Sequence, residues 1–219
     1  MRTPPRVRGG LGARLAVLTA GLFLFAAGIV LQLESRLGLS PWDVLHQGVA
    51  KHTPLSFGTA NVAVSIVVLA IGWLLRAPIG LGTAANAVLV GAFIELLTAI
   101  PAVDDLSEQS LAVRIVLLGS GIAVIGIASA LYLGAALGAG PRDSLMVVGA
   151  QRTHIRIGVV RAALELAALG AGFALGGTVG VGTVAFALLV GPSVEAGFWT
   201  LERTPLAAGT TRPARRARS

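Results

Sequence analysis

The stretch LGLSPWDVL at residues 37–45 recurs at residues 137–145 as LGAGPRDSL, with its glycine, proline, aspartate and first and last leucines in the same places. The match continues in register, since IGLGT at 79–83 corresponds to VGVGT at 179–183 and Glu95 corresponds to Glu195. Shared apolar composition explains isolated matches between such segments, but it does not explain aligned Pro, Asp, Glu and Gly-x-Gly-Thr. The chain is therefore an internal duplication with a shift of 100 residues.

The composition is that of a membrane protein. Of the 219 residues, 55% are hydrophobic and only 12% are charged, which is the wrong balance for a soluble fold. Six apolar runs are each long enough to cross a hydrocarbon core of about 30 Å. They lie at 15–33, 57–75, 83–100, 115–133, 157–175 and 183–201. The remaining stretches are too short for a soluble domain, and the lack of cysteine excludes thiol chemistry.

Three spans per repeat determine the predicted fold. Because three is odd, the second repeat enters the membrane from the opposite side. We therefore predict an all-α integral membrane protein with six transmembrane helices arranged as a 3+3 inverted-topology repeat. Its predicted segments are a basic cytoplasmic tail at 1–14, the first three-helix repeat at 15–100, an acidic external loop at 101–110, the second three-helix repeat at 111–201 and an Arg-rich cytoplasmic tail at 202–219.

The net charge of +7 is carried by the chain ends and the loops. With the N-terminus inside, thirteen arginines fall on the inner side and only Arg36, Lys51 and Arg114 on the outer side. Cytoplasmic loops carry the excess of basic residues, so both termini are predicted to be cytoplasmic. The N-terminal apolar run is accordingly interpreted as a span rather than a secretory signal. We expect the Arg-rich tail to contact anionic lipid at the cytoplasmic face and not nucleic acid.

A short helix is predicted in the connector after the first span of each repeat. Ser40, Pro41 and Asp43 suit the N-cap, first and third positions of a helix over 41–50, and Gly140, Pro141 and Asp143 repeat the pattern at 141–150. Such a helix is about half as long as a bilayer is thick. Two interpretations remain open: a capped connector at the interface, or a re-entrant helix that presents its N-terminus to a central site.

Ionisable groups in or near the spans are the candidate site residues, because such groups are costly in lipid and commonly line a pathway or form pairs. His46 follows Asp43 by three residues and can form a proton-relay pair with it, although its counterpart is Met146. Arg161 and Glu165 are spaced to neutralise each other. Helix packing, capping or snorkelling is the alternative interpretation of these residues. The candidates for a substrate or ion pathway are Asp43, His46, Glu95, Arg142, Asp143, Arg161, Glu165 and Glu195.

Two glycine-rich motifs precede the third span of each repeat. A Gly-x-Gly turn that leads into a helix can cradle an anion, but tight turns capped by threonine are the favoured interpretation. No strand precedes either motif, so neither is a dinucleotide fingerprint. The residues of the helix-start motifs are Ser40, Pro41, Gly80, Gly82, Thr83, Gly140, Pro141, Gly180, Gly182 and Thr183.

These motifs resemble a known family. LSPWDVLHQG at 39–48, LSFGT at 55–59, GLGT at 80–83, GAGPRD at 138–143 and GVGT at 180–183 are similar to the YczE/YyaS/YitT family of bacterial integral membrane proteins. The resemblance covers roughly residues 15–201. It implies a six-helix protein of the bacterial inner membrane, and it implies no established biochemical activity.

The leading functional hypothesis is a small secondary transporter or permease component for a small solute. It rests on the inverted repeat, the buried charges and the lack of a Walker lysine, an HExxH pair or a Gly-x-Ser-x-Gly elbow. We expect no enzymatic activity, cofactor or metal. The alternatives are a non-transporting membrane partner that assists assembly or export, and a substrate-binding subunit of a multi-component importer. Association with copies of itself or with another membrane protein is compatible with each.

Overall fold

The computed structural model describes residues 5–207, and within this range the chain forms nine α-helices and one 3₁₀ helix, with no β-strand. The α-helices are α1 (Leu11–Ser35), α2 (Pro41–His52), α3 (Phe57–Leu74), α4 (Leu81–Thr98), α5 (Pro101–Asp104), α6 (Leu111–Gly134), α7 (Pro141–Thr153), α8 (Ile157–Ala174) and α9 (Val181–Glu202). Six of these, α1, α3, α4, α6, α8 and α9, are long and apolar enough to cross a membrane. The predicted all-helical chain with six membrane-capable helices is confirmed.

Several boundaries differ from the predicted ones. Helix α1 begins at Leu11, four residues before the apolar run at 15–33, and ends two residues after it, because Glu34 and Ser35 continue the helix. Helices α2 and α7 run past residues 50 and 150. The predicted loop at 101–110 contains α5 and the 3₁₀ helix Asp105–Glu108, with Pro101 at the first helical position. Parts of both predicted basic tails, 1–4 and 208–219, lie outside the described residues.

The antiparallel pair α1 and α6 forms the centre of the bundle. Gly28 and Gly121 lie where the two helices cross, and a Cβ atom on Gly28 would lie 2.9 Å from the carbonyl oxygen of Gly121. Only glycine permits this approach, which is how helices in membranes pack closely. Leu22, Ile29 and Ile125 fill the interior alongside. Helix α4 packs on α1 and α9 packs on α6, while α2 packs on α8 and α7 packs on α3.

Arginines of the two halves make matching contacts. Arg14 in α1 donates from Nε to the carbonyl oxygen of Ala135, at 2.7 Å, just after α6 ends. Arg114 in α6 donates from Nε to the carbonyl oxygen of Ser35, also at 2.7 Å, at the end of α1. Each guanidinium therefore satisfies a carbonyl that a helix C-terminus leaves without an intrahelical partner.

The glycine-rich motifs also contact the opposite half. The Gly82 N–H donates to the carbonyl oxygen of Leu137 at 2.8 Å, and the Gly182 N–H donates to that of Leu37 at 2.7 Å. Gly138, with φ +128°, lies so close to the start of α4 that a Cβ would meet the Thr83 side chain. The threonines act as the sequence indicates, since Thr83 Oγ1 accepts from the Gly80 N–H at 3.1 Å and Thr183 Oγ1 from the Gly180 N–H at 3.3 Å.

Candidate functional site

A buried carboxylate is fixed at the start of α2. Ser40 is the N-cap and accepts a hydrogen bond from the Asp43 N–H at 3.3 Å, while its hydroxyl donates to Asp43 Oδ2 at 2.5 Å. Pro41 at the first helical position has no N–H that would need a partner. Asp43 is only 2% exposed. The N-terminal end of the helix therefore holds this carboxylate in one orientation, where its charge is favourable.

His46 and Asn61 extend this cluster. His46 Nδ1 lies 3.2 Å from Asp43 Oδ1 and 3.1 Å from Asn61 Nδ2, and both side chains are buried. Burial raises the pKa of the Asp43 carboxyl, but the hydrogen bond and charge of His46, together with Arg142 and Ser40, outweigh burial and hold that pKa below its ordinary value of 3.8. Asp43 is therefore ionised at neutral pH.

The equivalent carboxylate of the second half has a different partner. Asp143 Oδ2 accepts a hydrogen bond from the Tyr132 hydroxyl at 2.9 Å. Gly140 replaces the serine cap and Met146 replaces the histidine, so the second half repeats the position of the carboxylate but not its surroundings. Gly140, Pro141 and Asp143 take the predicted positions at the start of α7, but Gly140 has no side chain to accept the Asp143 N–H as Ser40 does for Asp43.

The Arg142 guanidinium lies between two aromatic rings. Its Cζ is 5.6 Å from the centroid of the Phe25 ring and 6.0 Å from that of the Trp42 ring, which permits cation–π attraction to both. No ion pair or side-chain hydrogen bond of Arg142 forms within residues 5–207. The aromatic rings position this cation but do not neutralise it.

These groups surround a small central cavity. Its volume is about 20 Å³, which is room for about one water molecule. Phe25, Ser65 and Val90 on its wall lie near the middle of α1, α3 and α4. The first turns of α2 and α7 both reach it. The wall is formed by Phe25, Trp42, His46, Asn61, Val64, Ser65, Val68, Asn86, Val90, Pro141 and Arg142.

The remaining pathway candidates lie away from the central cavity. Arg161 Nε and Glu165 Oε1 form an ion pair at 2.9 Å on α8, as their spacing allows, and both side chains are partly exposed. Glu95 Oε1 accepts hydrogen bonds from the Thr59 N–H at 3.1 Å and from the Ser56 hydroxyl. Glu95 thus caps the N-terminus of α3, whereas Glu195 is exposed on α9.

Of the eight pathway candidates, the structure brings His46 and Arg142 to the cavity wall and places Asp43 and Asp143 behind it. The glycine-rich turns do not line the cavity, and the N–H groups of Gly82 and Gly182 are bonded to carbonyls of the opposite half. Sequence reasoning missed some of the wall residues and the partner of Asp143: Phe25, Trp42, Asn61, Ser65, Asn86 and Tyr132. The available signal was that Asn61 and Ser65 correspond to Arg161 and Glu165.

A second, open cleft of about 370 Å³ lies at the C-terminal end of α1. Glu34, Arg36 and Asp104 contribute charge to it, and Arg36 pairs with Glu108 at 3.2 Å. None of the sequence-predicted site residues lines this cleft. No group of three carboxylate, imidazole or thiol side chains in the described part of the chain could hold a metal ion.

A comparison with known protein families shows which family the chain belongs to. A family described as being of unknown function, DUF6198, matches residues 12–197. The chain belongs to the DUF6198 family. Its similarity to YczE and YyaS proteins, which the motifs indicate, is confirmed. No solved structure matches the chain.

Three relatives support the assignment. An uncharacterized protein of Haemophilus influenzae is 39% identical over 181 residues, covering 83% of this chain and 81% of the relative. The uncharacterized membrane protein YczE of Bacillus subtilis is 35% identical over 175 residues, covering 78% and 79%. The uncharacterized protein YyaS of the same organism is 30% identical over 130 residues, covering 58% and 64%. With its six membrane-capable helices, this DUF6198 chain is a membrane protein.

Proposed function

We propose that this DUF6198 protein is a small secondary transporter of the bacterial inner membrane, built as a 3+3 inverted-topology repeat with both termini in the cytoplasm. The matching contacts across the 100-residue shift support the repeat. Arg14 contacts Ala135 as Arg114 contacts Ser35, and Gly82 contacts Leu137 as Gly182 contacts Leu37. The charge distribution supports the orientation. No enzymatic activity is part of the proposal.

The placement of α2 and α7 supports the re-entrant interpretation of these helices. The first turn of each reaches the central cavity, near the middle of α1, α3 and α4. The segments that follow α1 and α6 therefore run back from the end of a long helix to the middle of the bundle. From there α2 and α7 run outward again. Transporters built from inverted repeats commonly bind solute where such broken helices meet.

One observation carries the transport proposal: the two halves have different conformations at equivalent places. Helices α3 and α4 pack together, but no comparable packing joins α8 to α9. A Cβ on Gly58 would meet Gly91 and Glu95, whereas Gly158 and Gly191 have no atom within 4 Å of such a Cβ. The bundle is thus closed at the Glu95 end and open at the Glu195 end.

Alternating access follows if the halves exchange these conformations. In the second state, α8 would close on α9 through Gly158 and Gly191, and Glu195 would accept from the Val159 N–H as Glu95 now accepts from the Thr59 N–H. Arg156, the counterpart of Ser56, would add an ion pair. With the N-terminus inside, the closed end faces outward in the structure, and the exchange would open it.

A disulfide cross-link tests the exchange. The chain has no cysteine, so the pair Gly158→Cys and Gly191→Cys is expected to cross-link under mild oxidation only while α8 is closed on α9. Gly170→Cys with Gly191→Cys is the matched control, because Gly170 is also in open space but lies three turns further along α8. The control pair should not cross-link.

The side from which the central cavity is reached is the functional readout. A third cysteine at Ser65 should react with a membrane-impermeant maleimide from the cytoplasmic face before cross-linking and from the outer face after it. Labelling from the same face in both states, or absence of the Gly158–Gly191 cross-link in a protein that carries out solute flux in liposomes, would refute alternating access by this motion.

The open face between α8 and α9 favours a second candidate function, that of a membrane partner for another protein. Glu195 and the Arg161–Glu165 pair are at least partly exposed on helices that can cross the membrane. Exposure of such groups to lipid is costly, and a helix of another protein would cover them. Co-purification of a stoichiometric membrane protein, lost on substitution of Glu195, together with failure of the Gly158–Gly191 cross-link, would support this function over transport.

A further inference from the structure

The wall of the central cavity presents hydrogen-bond donors and one cation, but no carboxylate. Arg142, His46, Asn61, Ser65 and Asn86 supply its polar groups. The two nearby carboxylates are not part of the wall, and each is already bonded, Asp43 to Ser40 and His46 and Asp143 to Tyr132. The N-terminal ends of α2 and α7 add two partial positive charges at the same place.

One atom of the Asn61 side-chain amide has no hydrogen-bond partner within the described residues. Its Oδ1 has no hydrogen-bond partner, and the side chain is only 4% exposed. His46 Nδ1 must carry a proton to donate to the ionised Asp43, so it cannot also accept from the Asn61 amide nitrogen 3.1 Å away. A half-turn of the amide resolves the conflict. The oxygen then shares the Nδ1–H proton with Asp43 Oδ1 in a bifurcated hydrogen bond, and the NH₂ group is left as an unpartnered donor.

Arg142 likewise makes no direct contact with an anion: its charge acts on Asp43 behind the cavity wall, but the two side chains form no ion pair within the described residues. The guanidinium is held against the Phe25 and Trp42 rings and has no acidic partner within the described residues. Arg142 is half-buried, and an anion stabilises a partly desolvated cation of this kind. Arg142, the Asn61 amide and the two helix ends therefore supply positive charge and a hydrogen-bond donor at one place, which is what a bound anion requires.

We propose that the central cavity binds one inorganic anion of about the size of a water molecule, of the halide class, with Arg142 as its charge partner. The volume of about 20 Å³ admits such an ion and excludes an organic solute in this conformation. The inference rests on the proposed function only in treating this cavity as the transport site. Binding and flux are separate measurements, so failure of one is distinguishable from failure of the other.

Thermal unfolding of the full chain in detergent tests this binding. At constant ionic strength, sodium fluoride and sodium chloride are compared with sodium gluconate, whose anion is too large for the cavity. We expect a saturable rise in Tm with at least one halide and none with gluconate. Arg142→Gln should weaken the apparent halide affinity about tenfold or more, since a charge-assisted hydrogen bond is lost. Arg152→Gln on the same helix, outside the cavity wall, is the control and should keep the wild-type affinity.

A second variant covers a failure of Arg142→Gln to fold. Ser65→Glu places a carboxylate in the cavity wall at the position where the other half carries Glu165. It should abolish halide binding, as measured by isothermal titration calorimetry. Equal shifts with halides and gluconate, or unchanged halide affinity in either cavity variant, would overturn the inference. Halide binding without flux would support the anion site and refute the transport proposal. Flux of another solute without halide binding would support transport and refute the anion site.

Discussion

Substitution of Glu95 by alanine should destabilise the protein, while the same substitution of Glu195 should not. Glu95 Oε1 accepts from the Thr59 N–H and the Ser56 hydroxyl at the start of α3. Losing an N-terminal cap costs about 1 kcal/mol, and losing a hydrogen bond to a charged acceptor costs about 1.5–3 kcal/mol. Because the Ser56 hydroxyl still caps Thr59, we expect a net loss of about 2 kcal/mol from Glu95→Ala.

The duplicated chain supplies the control for this experiment. Glu195 is exposed and makes no side-chain hydrogen bond in the described part of the chain, so Glu195→Ala should change the free energy of unfolding by less than about 0.5 kcal/mol. Equilibrium unfolding in mixed detergent, followed by tryptophan fluorescence, measures both variants. Equal destabilisation by the two substitutions would show that the two ends of the bundle are equivalent, and the asymmetry behind the transport proposal would be wrong.

The same substitution has a conformational consequence. Glu95 lies at the closed end of the bundle, which faces outward in the proposed orientation, so Glu95→Ala should favour the opposite state. A cysteine at Ser65 in this variant should then react faster with an impermeant maleimide added outside. Destabilisation without any change in labelling would mean that Glu95 is a structural cap and not part of a gate.

Three further predictions concern packing, pH and orientation. Gly28→Val should cost about 1–3 kcal/mol, because its side chain would press on Ile125 and Gly121, whereas Gly119→Val, in open space, should cost little; comparable losses in denaturation curves would contradict the α1–α6 crossing. The pKa of Asp43 is lowered in the folded state, so its contribution to stability is present above the ordinary value of 3.8 and is lost as the pH falls through the folded value. Asp43→Asn should therefore lower Tm at pH 7, and the Tm of this variant should fall less on acidification than the Tm of the wild type. The same fall in Tm in both proteins would exclude this contribution. Single cysteines at Thr53 and Thr153 should be labelled from opposite sides of the membrane, and labelling from one side would refute the inverted topology.

The features that the sequence predicts well are local. The Ser40 cap, Pro41 at the first helical position and the Arg161–Glu165 pair each depend on residues within one turn of a helix. The six spans depend on continuous apolar length, and their ends shifted by up to four residues, at the end of α1 because Glu34 and Ser35 continue the helix. Such signals can be recognised without knowing how the helices pack.

The features that the sequence does not reveal depend on distant partners. Glu95 resembles its repeat partner in sequence, and only the packing of α4 on α3 gives it a capping role. The importance of Arg142 arises from Phe25 and Trp42, which two other helices bring to it. The glycine-rich turns were predicted as tight turns capped by threonine, and the bond from Gly82 to Leu137 of the other half could not be predicted from that pattern. Each of these contacts joins segments whose distance in space is determined by tertiary packing.

The reciprocal arginine contacts bear on how the protein is made. Arg14 finds its acceptors at Ala135 and Ala136, and Arg114 finds its acceptors at Ser35 and Arg36. A nascent chain that ends before residue 135 therefore lacks the acceptors of Arg14, however well its first helices have inserted. The two halves therefore complete each other's contacts late in synthesis. Two separately expressed halves should reassemble in the membrane, and either half expressed alone should be degraded more readily than the pair.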